Sequence, residues 1–442
     1  MKRGKCILFL LGLLFIQVNE LLAQNPIIRD QFSADPSARV FEGKVYLYPS
    51  HDIFAPSEYP RKDWFCMADY HVFSSSNLVD WTDHGIILDQ NRVDWVNSKS
   101  YSMWAPDCMF KEGKYYLYFP AISKDSVNTI GVAVADKPYG PFVPQKKPIT
   151  GVKGIDPNPF IDKDGQAYLY WAAGNIFVAK LKPNMLDLAS EPRAIKELPK
   201  GFKEGPYLFE RNGIYYLTYP FVLDNRESLA YSISDNPMGP FEYKGVIMDQ
   251  SLTCWTNHHS IIKYNDQWYL FYHNNDLSEF DKNRSVRIDS LSFNSDGTIR
   301  KVIPTLRGVG LSDALQKIQI DRYSKISKSG VFIDFIDNSN KFNGWKTIFK
   351  EKNAWVQYNS VNFGTNSPKR VNVQALSRRG GTIEIRMDGL NGPIIAEVKI
   401  PSNNKWDEVK SSVDRCPKGI HNLYIFMKDG DGVEIDWLKF EK

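Results

Sequence analysis

The chain has 442 residues and a formal net charge of +4. That length exceeds what one hydrophobic core usually supports, so two domains are expected, and the absence of any basic patch or charge run excludes nucleic-acid binding. Aromatic residues make up 14%, a high share that suits β-structure and surfaces that stack on sugar rings.

Residues 1–23 read as a secretory signal. Lys2, Arg3 and Lys5 precede the apolar run Ile7 to Ile16, and Ala23 offers a small residue before Gln24. The apolar run is short for a membrane anchor. Cys6 lies before it, which argues against lipoprotein processing. The other cysteines, Cys66, Cys108, Cys254 and Cys416, match no zinc spacing. Cys66 and Cys108 could pair in an oxidising compartment; buried free thiols are the alternative.

From Gln31 to about Pro304 one pattern occurs five times: an apolar run, a Gly/Asn/Asp turn, and a second aromatic run such as Val45-Tyr46-Leu47-Tyr48 or Tyr115-Tyr116-Leu117-Tyr118. This is a β-hairpin signature. The turns fall at Gly43, Gly113, Gly165, Gly213 and Asp266, about one four-stranded propeller blade apart. The first interval is longer and holds an insertion from His51 to Asp69, which points to a walled pocket. In a radial array the first strand of each blade lines the axis. Asp35, Asp156, Glu204 and His258 stand the same short distance before their turns, so three acids and a histidine are expected to face one another. The expected fold is all-β, a five-bladed β-propeller at 25–305.

The segment 306–327 is more polar, with a helix-tolerant stretch at 313–317, and is read as a linker and the start of the second domain. Short alternating strands return over 328–442 and predict a jelly-roll-like β-sandwich.

The ordered set Asp35-Pro36-Ser37, Trp104-Ala105-Pro106-Asp107, Gly154-Ile155-Asp156-Pro157, Glu204-Gly205-Pro206, His258-His259-Ser260 and Arg284-Ser285-Val286 resembles glycoside hydrolase family 43 over about Asn25 to Pro304. The resemblance implies inversion of configuration and action on arabinose- or xylose-containing plant polysaccharides. It implies Asp35 as general base, Asp156 as modulator of its partner's pKa, and Glu204 as general acid. It also implies a histidine reaching a calcium ion held mainly by waters in the propeller channel: His258, with His259 the alternative. No organic cofactor is implied. Arg284 is expected to point its guanidinium at the sugar or at a carboxylate. Trp104, Trp171 and Phe221 are placed around the sugar ring, and Asp52, beside His51, at the pocket rim. Asp107 is read as structural or substrate-facing.

An inverting glycosidase needs one carboxylate to activate water and one protonated acid for the leaving oxygen, roughly 6.5 to 9.5 Å apart. Glu204 must therefore stay protonated near neutral pH through burial or a neighbouring charge, and Asp156 is expected to supply that charge. The C-terminal part, over most of 315–442, resembles carbohydrate-binding module family 6 in Gly380-Gly381-Thr382-Ile383-Glu384-Ile385-Arg386 and Ile435-Asp436-Trp437. That resemblance implies stacking of sugar on Trp406. Glu434 stands where such modules carry an asparagine, so a purely structural domain is the alternative. The sequence thus predicts a secreted or periplasmic exo-acting glycosidase releasing α-L-arabinofuranosyl or terminal β-D-xylosyl units from cell-wall polysaccharide. An endo-acting xylanase or arabinanase and a non-catalytic sugar-binding propeller are the rivals.

Overall fold

The computed structural model describes residues 25–442 except 197, 224, 341 and 342; the expected signal lies outside them. Five sheets follow one another along the chain. The first contains β1 (Phe32–Phe41), β2 (Lys44–Asp52), β3 (Asp69–Ser75) and β4 (Thr82–Asp89). The second contains β5 (Asp107–Lys111), β6 (Lys114–Ile122), β7 (Asn128–Ala135) and β8 (Val143–Pro144). The third contains β9 (Ile155–Ile161), β10 (Ala167–Ala172), β11 (Ile176–Lys180) and β12 (Arg193–Ala194). The fourth contains β13 (Tyr207–Arg211), β14 (Ile214–Leu223), β15 (Arg226–Ser234) and β16 (Glu242–Met248). The fifth contains β17 (Ser260–Tyr264), β18 (Gln267–Asn274) and β19 (Ser285–Leu291). Each is an antiparallel meander, the blade unit of a propeller.

The hairpin turns follow from their residues. Glu42-Gly43, Glu112-Gly113, Asn212-Gly213 and Asn265-Asp266 all have two successive positive φ angles. This is the type I′ geometry that matches the strand twist.

A second repeat binds blade to blade. Tyr48, Tyr118 and Tyr170 occupy equivalent places on the second strands, and each hydroxyl donates to a carbonyl of the following blade, at Pro138, Met185 and Pro237. In the fourth blade the same place holds Thr218, and the smaller side chain leaves room for the ring of His259, whose Nε2 lies 2.6 Å from Thr218 Oγ1. The chain's first described residues run against the fifth blade: Ile27 and Ser33 donate backbone bonds to Val286 and Arg284, each 2.9 Å.

Two six-stranded sheets form the second domain. One contains Trp355–Asn362, Gly381–Met387, Ile394–Ile400 and Ile420–Gly430; the other contains Trp345–Phe349, Arg370–Ser377, Asp407–Ser412 and Val433–Glu441. Their inward residues, among them Val356, Val373, Ile385, Ile425 and Leu438, make one core.

In the segment 306–327 only the helix tolerance is corrected. Ser312–Asp313, Ile318–Gln319 and Lys325–Ile326 pair with sandwich strands. Asp313–Lys317 forms no helix, because the Asp313 carboxylate accepts from Leu315 N at 2.8 Å and sets a turn instead. The domains meet through Phe335, Trp345 and Ile333 packed on Leu277 and Phe32. Arg29 of the propeller segment is attracted to Asp321 and Asp436 of the second domain. Cys66, Cys108, Cys254 and Cys416 are free and buried. Burial raises all four thiol pKa values, Cys66 to about 11 and Cys254 and Cys416 to about 12, which disfavours the reactive thiolate. Among the described residues no helix is long and apolar enough to cross a membrane.

Candidate active site

Asp35 and Asp156 reach the same place by the same local device. Each precedes proline, each sits where the pairing of its strand slips by a bulge, and each has a left-handed φ, 45° and 58°. Aspartate tolerates that region better than most residues, and a bulge re-aims a side chain out of the ladder. Glu204 comes differently, from the loop before β13. Gly205 beside it has φ +64°, and a Cβ there would stand 2.8 Å from the Pro220 ring and 3.2 Å from His258 Nδ1. Only glycine lets the chain pass.

The three acids line a cavity of about 210 Å³ together with Trp64, Phe65, Trp104, Trp255, His258 and Arg284. Its floor divides into two electrostatic halves. On one side Arg284 donates from Nη1 and Nη2 to the two oxygens of Asp35, at 2.8 and 3.1 Å. Ser50 Oγ adds a bond to Asp35 at 2.6 Å. Burial opposes ionisation of Asp35, but Arg284, together with His273, His258 and the Ser50 hydrogen bond, outweighs it and holds the carboxyl far below the usual range. Asp52, fully buried behind, receives Arg284 Nε and Nη2, each at 2.9 Å. His273 accepts from the Asp35 backbone N–H at 3.1 Å. Burial and Arg284 push His273 down to about 3, so it stays neutral.

On the other side no arginine is present. Burial, then the charge of Glu204, pushes Asp156 well up. Glu204 is raised by burial and then by Asp35, which supplies the charge expected of Asp156. Asp156 Oδ2 accepts from Gly205 N at 2.9 Å, so it grips the peptide that carries Glu204 and orients it. A fourth acid, Glu227 on β15, is 1% exposed. One oxygen accepts from Asn257 N at 2.7 Å and the other has no partner. Burial and Glu204 push its carboxyl well up. Burial and mutual repulsion thus push the acids of this half towards the protonated form, while Asp35 is driven towards the ionised form; Asp52, behind it, is raised by burial despite Arg284.

The remaining predicted residues separate. Trp104 lines the cavity, its indole N–H directed at the Phe65 carbonyl at 3.4 Å. Trp171 does not: it is 2% exposed between blades, stacked on Phe177, with its N–H on the Lys153 carbonyl. Phe221 also lies off the cavity, against Gly201 and Tyr243. Asp52 is no rim residue; it is buried and clamps Arg284 from behind. Asp107 is structural, held by Arg39 and Ser37 and by Asn158 Nδ2 at 2.7 Å.

His258 lines the cavity and makes no hydrogen bond with the described residues, whereas His259 is buried on Thr218 with its Nδ1 unpartnered. One imidazole nitrogen is a poor match for a hard cation wanting six or more oxygens. Among the described residues no metal-binding group of three side chains forms there. The side chains alone do not make a calcium cage. On the second domain Trp406 is partly exposed, and Glu434 is neutralised by Lys346 Nζ at 2.8 Å.

Sequence reasoning missed Glu227, Ser50, His273, Trp64, Phe65 and Trp255. The aromatics were signalled by their positions in loops rather than on second strands: Trp64 and Phe65 lie in the noted insertion, and Trp255 shortly before His258. Arg284 caps Phe65 at 4.8 Å, and Phe65 stacks on Trp255. One aromatic wall and the ion pair are thus a single packed unit.

Comparison with known proteins agrees with this geometry. Residues 23–299 match the glycosyl hydrolases family 43 and residues 326–442 the carbohydrate binding module (family 6). A xylosidase/arabinosidase of Humicola insolens is 38% identical over 325 residues, covering 62% of this chain and 98% of that protein. An arabinoxylan arabinofuranohydrolase of Paenibacillus polymyxa is 28% identical, covering 92% of this chain and 72% of that protein. Among solved structures, a family 43 β-xylosidase/α-arabinofuranosidase from a compost metagenome, with xylotriose and in a calcium-free form, is 37% identical with a TM-score of 0.59, covering 63% of this chain and 97% of that one. The chain belongs to glycosyl hydrolase family 43.

Proposed function

We propose that the protein is an inverting, exo-acting glycosidase that removes terminal α-L-arabinofuranosyl or β-D-xylosyl units from arabinoxylan-type hemicellulose. The observation that carries this is the opposite shift of two acids in one cavity: Asp35 is driven down beside Arg284, and Glu204 is driven up by burial and by Asp35. An inverting hydrolase needs that pair. Asp35 takes a proton from water as the water attacks the anomeric carbon, while Glu204 protonates the departing oxygen. Arg284 keeps Asp35 ionised, and Asp156 fixes the loop of Glu204.

The cavity of about 210 Å³ is smaller than the roughly 300–1,000 Å³ that drug-sized ligands fill. It suits one sugar unit rather than a chain, which supports exo action. Relatives named xylosidase/arabinosidase and arabinoxylan arabinofuranohydrolase support both pentoses. Arabinofuranose is favoured as the first substrate to test. The N-terminal signal read from the sequence supports action outside the cytoplasm, where such polysaccharides are met. Any calcium at His258 would depend on water for its oxygen ligands, and no step above uses it. Product analysis on arabinoxylan, arabinan and xylo-oligosaccharides tests the reading: release of free arabinose or xylose supports it. Release of oligosaccharides alone, or of no sugar, overturns it.

A further inference from the structure

A second cluster of chemistry-bearing side chains lies away from the acids, on the first blade. β2 ends at His51 and Asp52, and β3 begins at Asp69. Continuing the pairing of Leu47 with Phe73 sets His51 opposite Asp69, with His71 two residues on and on the same face. One ligand atom from each of His51, Asp69 and His71 lies within 4.8 Å of the others. Asp69 Oδ1 is 2.7 Å from His51 Nδ1 and 3.9 Å from His71 Nε2, and the two imidazole rings are 5.0 Å apart.

We propose that His51, Asp69 and His71 form a binding site for a divalent transition metal of the zinc class, and that the metal clips together the two ends of the loop that walls the active-site cavity. Two separate histidine–carboxylate pairs would explain part of the arrangement, since His71 Nδ1 also lies 3.0 Å from Asp83 Oδ2. They do not explain why the opposite edge of His71 turns to the same Asp69 oxygen at a distance too long for a hydrogen bond. A carboxylate on one ring nitrogen leaves the other with a lone pair aimed at an ion, the usual support of a metal-bound histidine. Asp83 is itself anchored by Gln31 Nε2 at 3.1 Å and Gly85 N at 2.7 Å.

Two imidazoles and one carboxylate favour zinc-like ions over calcium or magnesium. Ligands around a tetrahedral zinc stand roughly 3.3 Å apart, so the separations of 2.7 and 3.9 Å need movements of under about an ångström. Binding would displace the proton shared by His51 and Asp69 to solvent. The side chains are 14–21% exposed, so an ion can enter, and solvent can complete its coordination.

The consequence follows from chain order. Between His51 and Asp69 runs the segment that gives Trp64, Phe65 and Met67 to the cavity. Asp52, next to His51, holds Arg284. A clip at this stem removes freedom from the wall without touching substrate.

The test is metal binding by the full-length, chelator-stripped protein. Co²⁺ should produce visible d–d absorption that saturates at a single equivalent, and Zn²⁺ should raise Tm. His51→Ala and His71→Ala should each abolish both signals. Asp83→Asn should weaken Co²⁺ binding about tenfold or more, and His258→Ala should leave it unchanged, which separates this site from the channel. Asp69→Asn preserves packing and should also lose the absorption, guarding against misfolded alanine variants. Absence of both signals in the wild type, or their survival in the histidine variants, overturns the proposal. Neither readout depends on the hydrolase reaction.

Discussion

Both sides of the cavity are built from buried carboxylic acids, yet Asp35 and Glu204 are shifted in opposite directions. Asp35 and Asp52 share Arg284 through a double fork of hydrogen bonds; Asp156, Glu204 and Glu227 share burial with no arginine donating to them. Burial alone raises a carboxyl, and an adjacent cation opposes it. Arg284 with His273, His258 and Ser50 reverses the sign at Asp35, whereas Asp52, buried on the same arginine, stays raised. The cation is also what permits two carboxylates to stand buried near each other, since removing one partner of such a group costs about 3–5 kcal/mol.

The comparison can be broken from either side. Glu204→Gln leaves the base half intact and removes the proton donor; kcat on arabinoxylan should fall by about 10⁴-fold, with near-native activity on a substrate whose leaving group needs no proton. Wild-type rates on arabinoxylan would exclude Glu204 as the acid. Asp35→Asn removes the base and should cost about 10³-fold on both kinds of substrate. A loss confined to poor leaving groups would reverse the two roles.

Arg284→Lys sharpens the comparison by keeping the charge and losing the fork. Misplacing Asp35 in this way should lower kcat/KM about 10²-fold. The acidic limb of the pH profile should also rise, because Asp35 then ionises less readily; an unchanged acidic limb would mean that Arg284 does not set the ionisation of Asp35.

The smallest effect is expected at Glu227. A carboxyl raised on folding binds more protons folded than unfolded, so its destabilisation begins above the unfolded pKa and grows until pH passes the folded value. Glu227→Gln mimics the protonated acid and should keep the bond from Asn257. Its Tm advantage over the wild type should therefore widen as pH rises from 5 to 9, with kcat altered only a few-fold. A constant or negative difference would show that Glu227 is not held protonated.

The sequence made some of this visible for physical reasons. The hairpins were readable because turn residues and alternating aromatics act locally, and Asp35 and Asp156 because each repeats the same bulged Asp-Pro step. Asp52 was misplaced because its partner Arg284 lies 232 residues away. Trp171 and Phe221 were drawn to the sugar by residue type, yet both belong to second strands away from the cavity, and Trp171 packs between blades. Glu227 carries no local signal at all: only the fold brings its unpartnered oxygen into the field of Glu204.

The central claim is that Glu204 carries the catalytic proton and Asp35 does not. The direct measurement is the pH dependence of kcat/KM for the wild type and Glu204→Gln on an alkyl α-L-arabinofuranoside, whose leaving group needs a proton. The wild type should lose activity as pH rises through the raised pKa of Glu204, and the variant should show no such alkaline limb. An identical alkaline limb in both would assign the proton to another group and contradict the account.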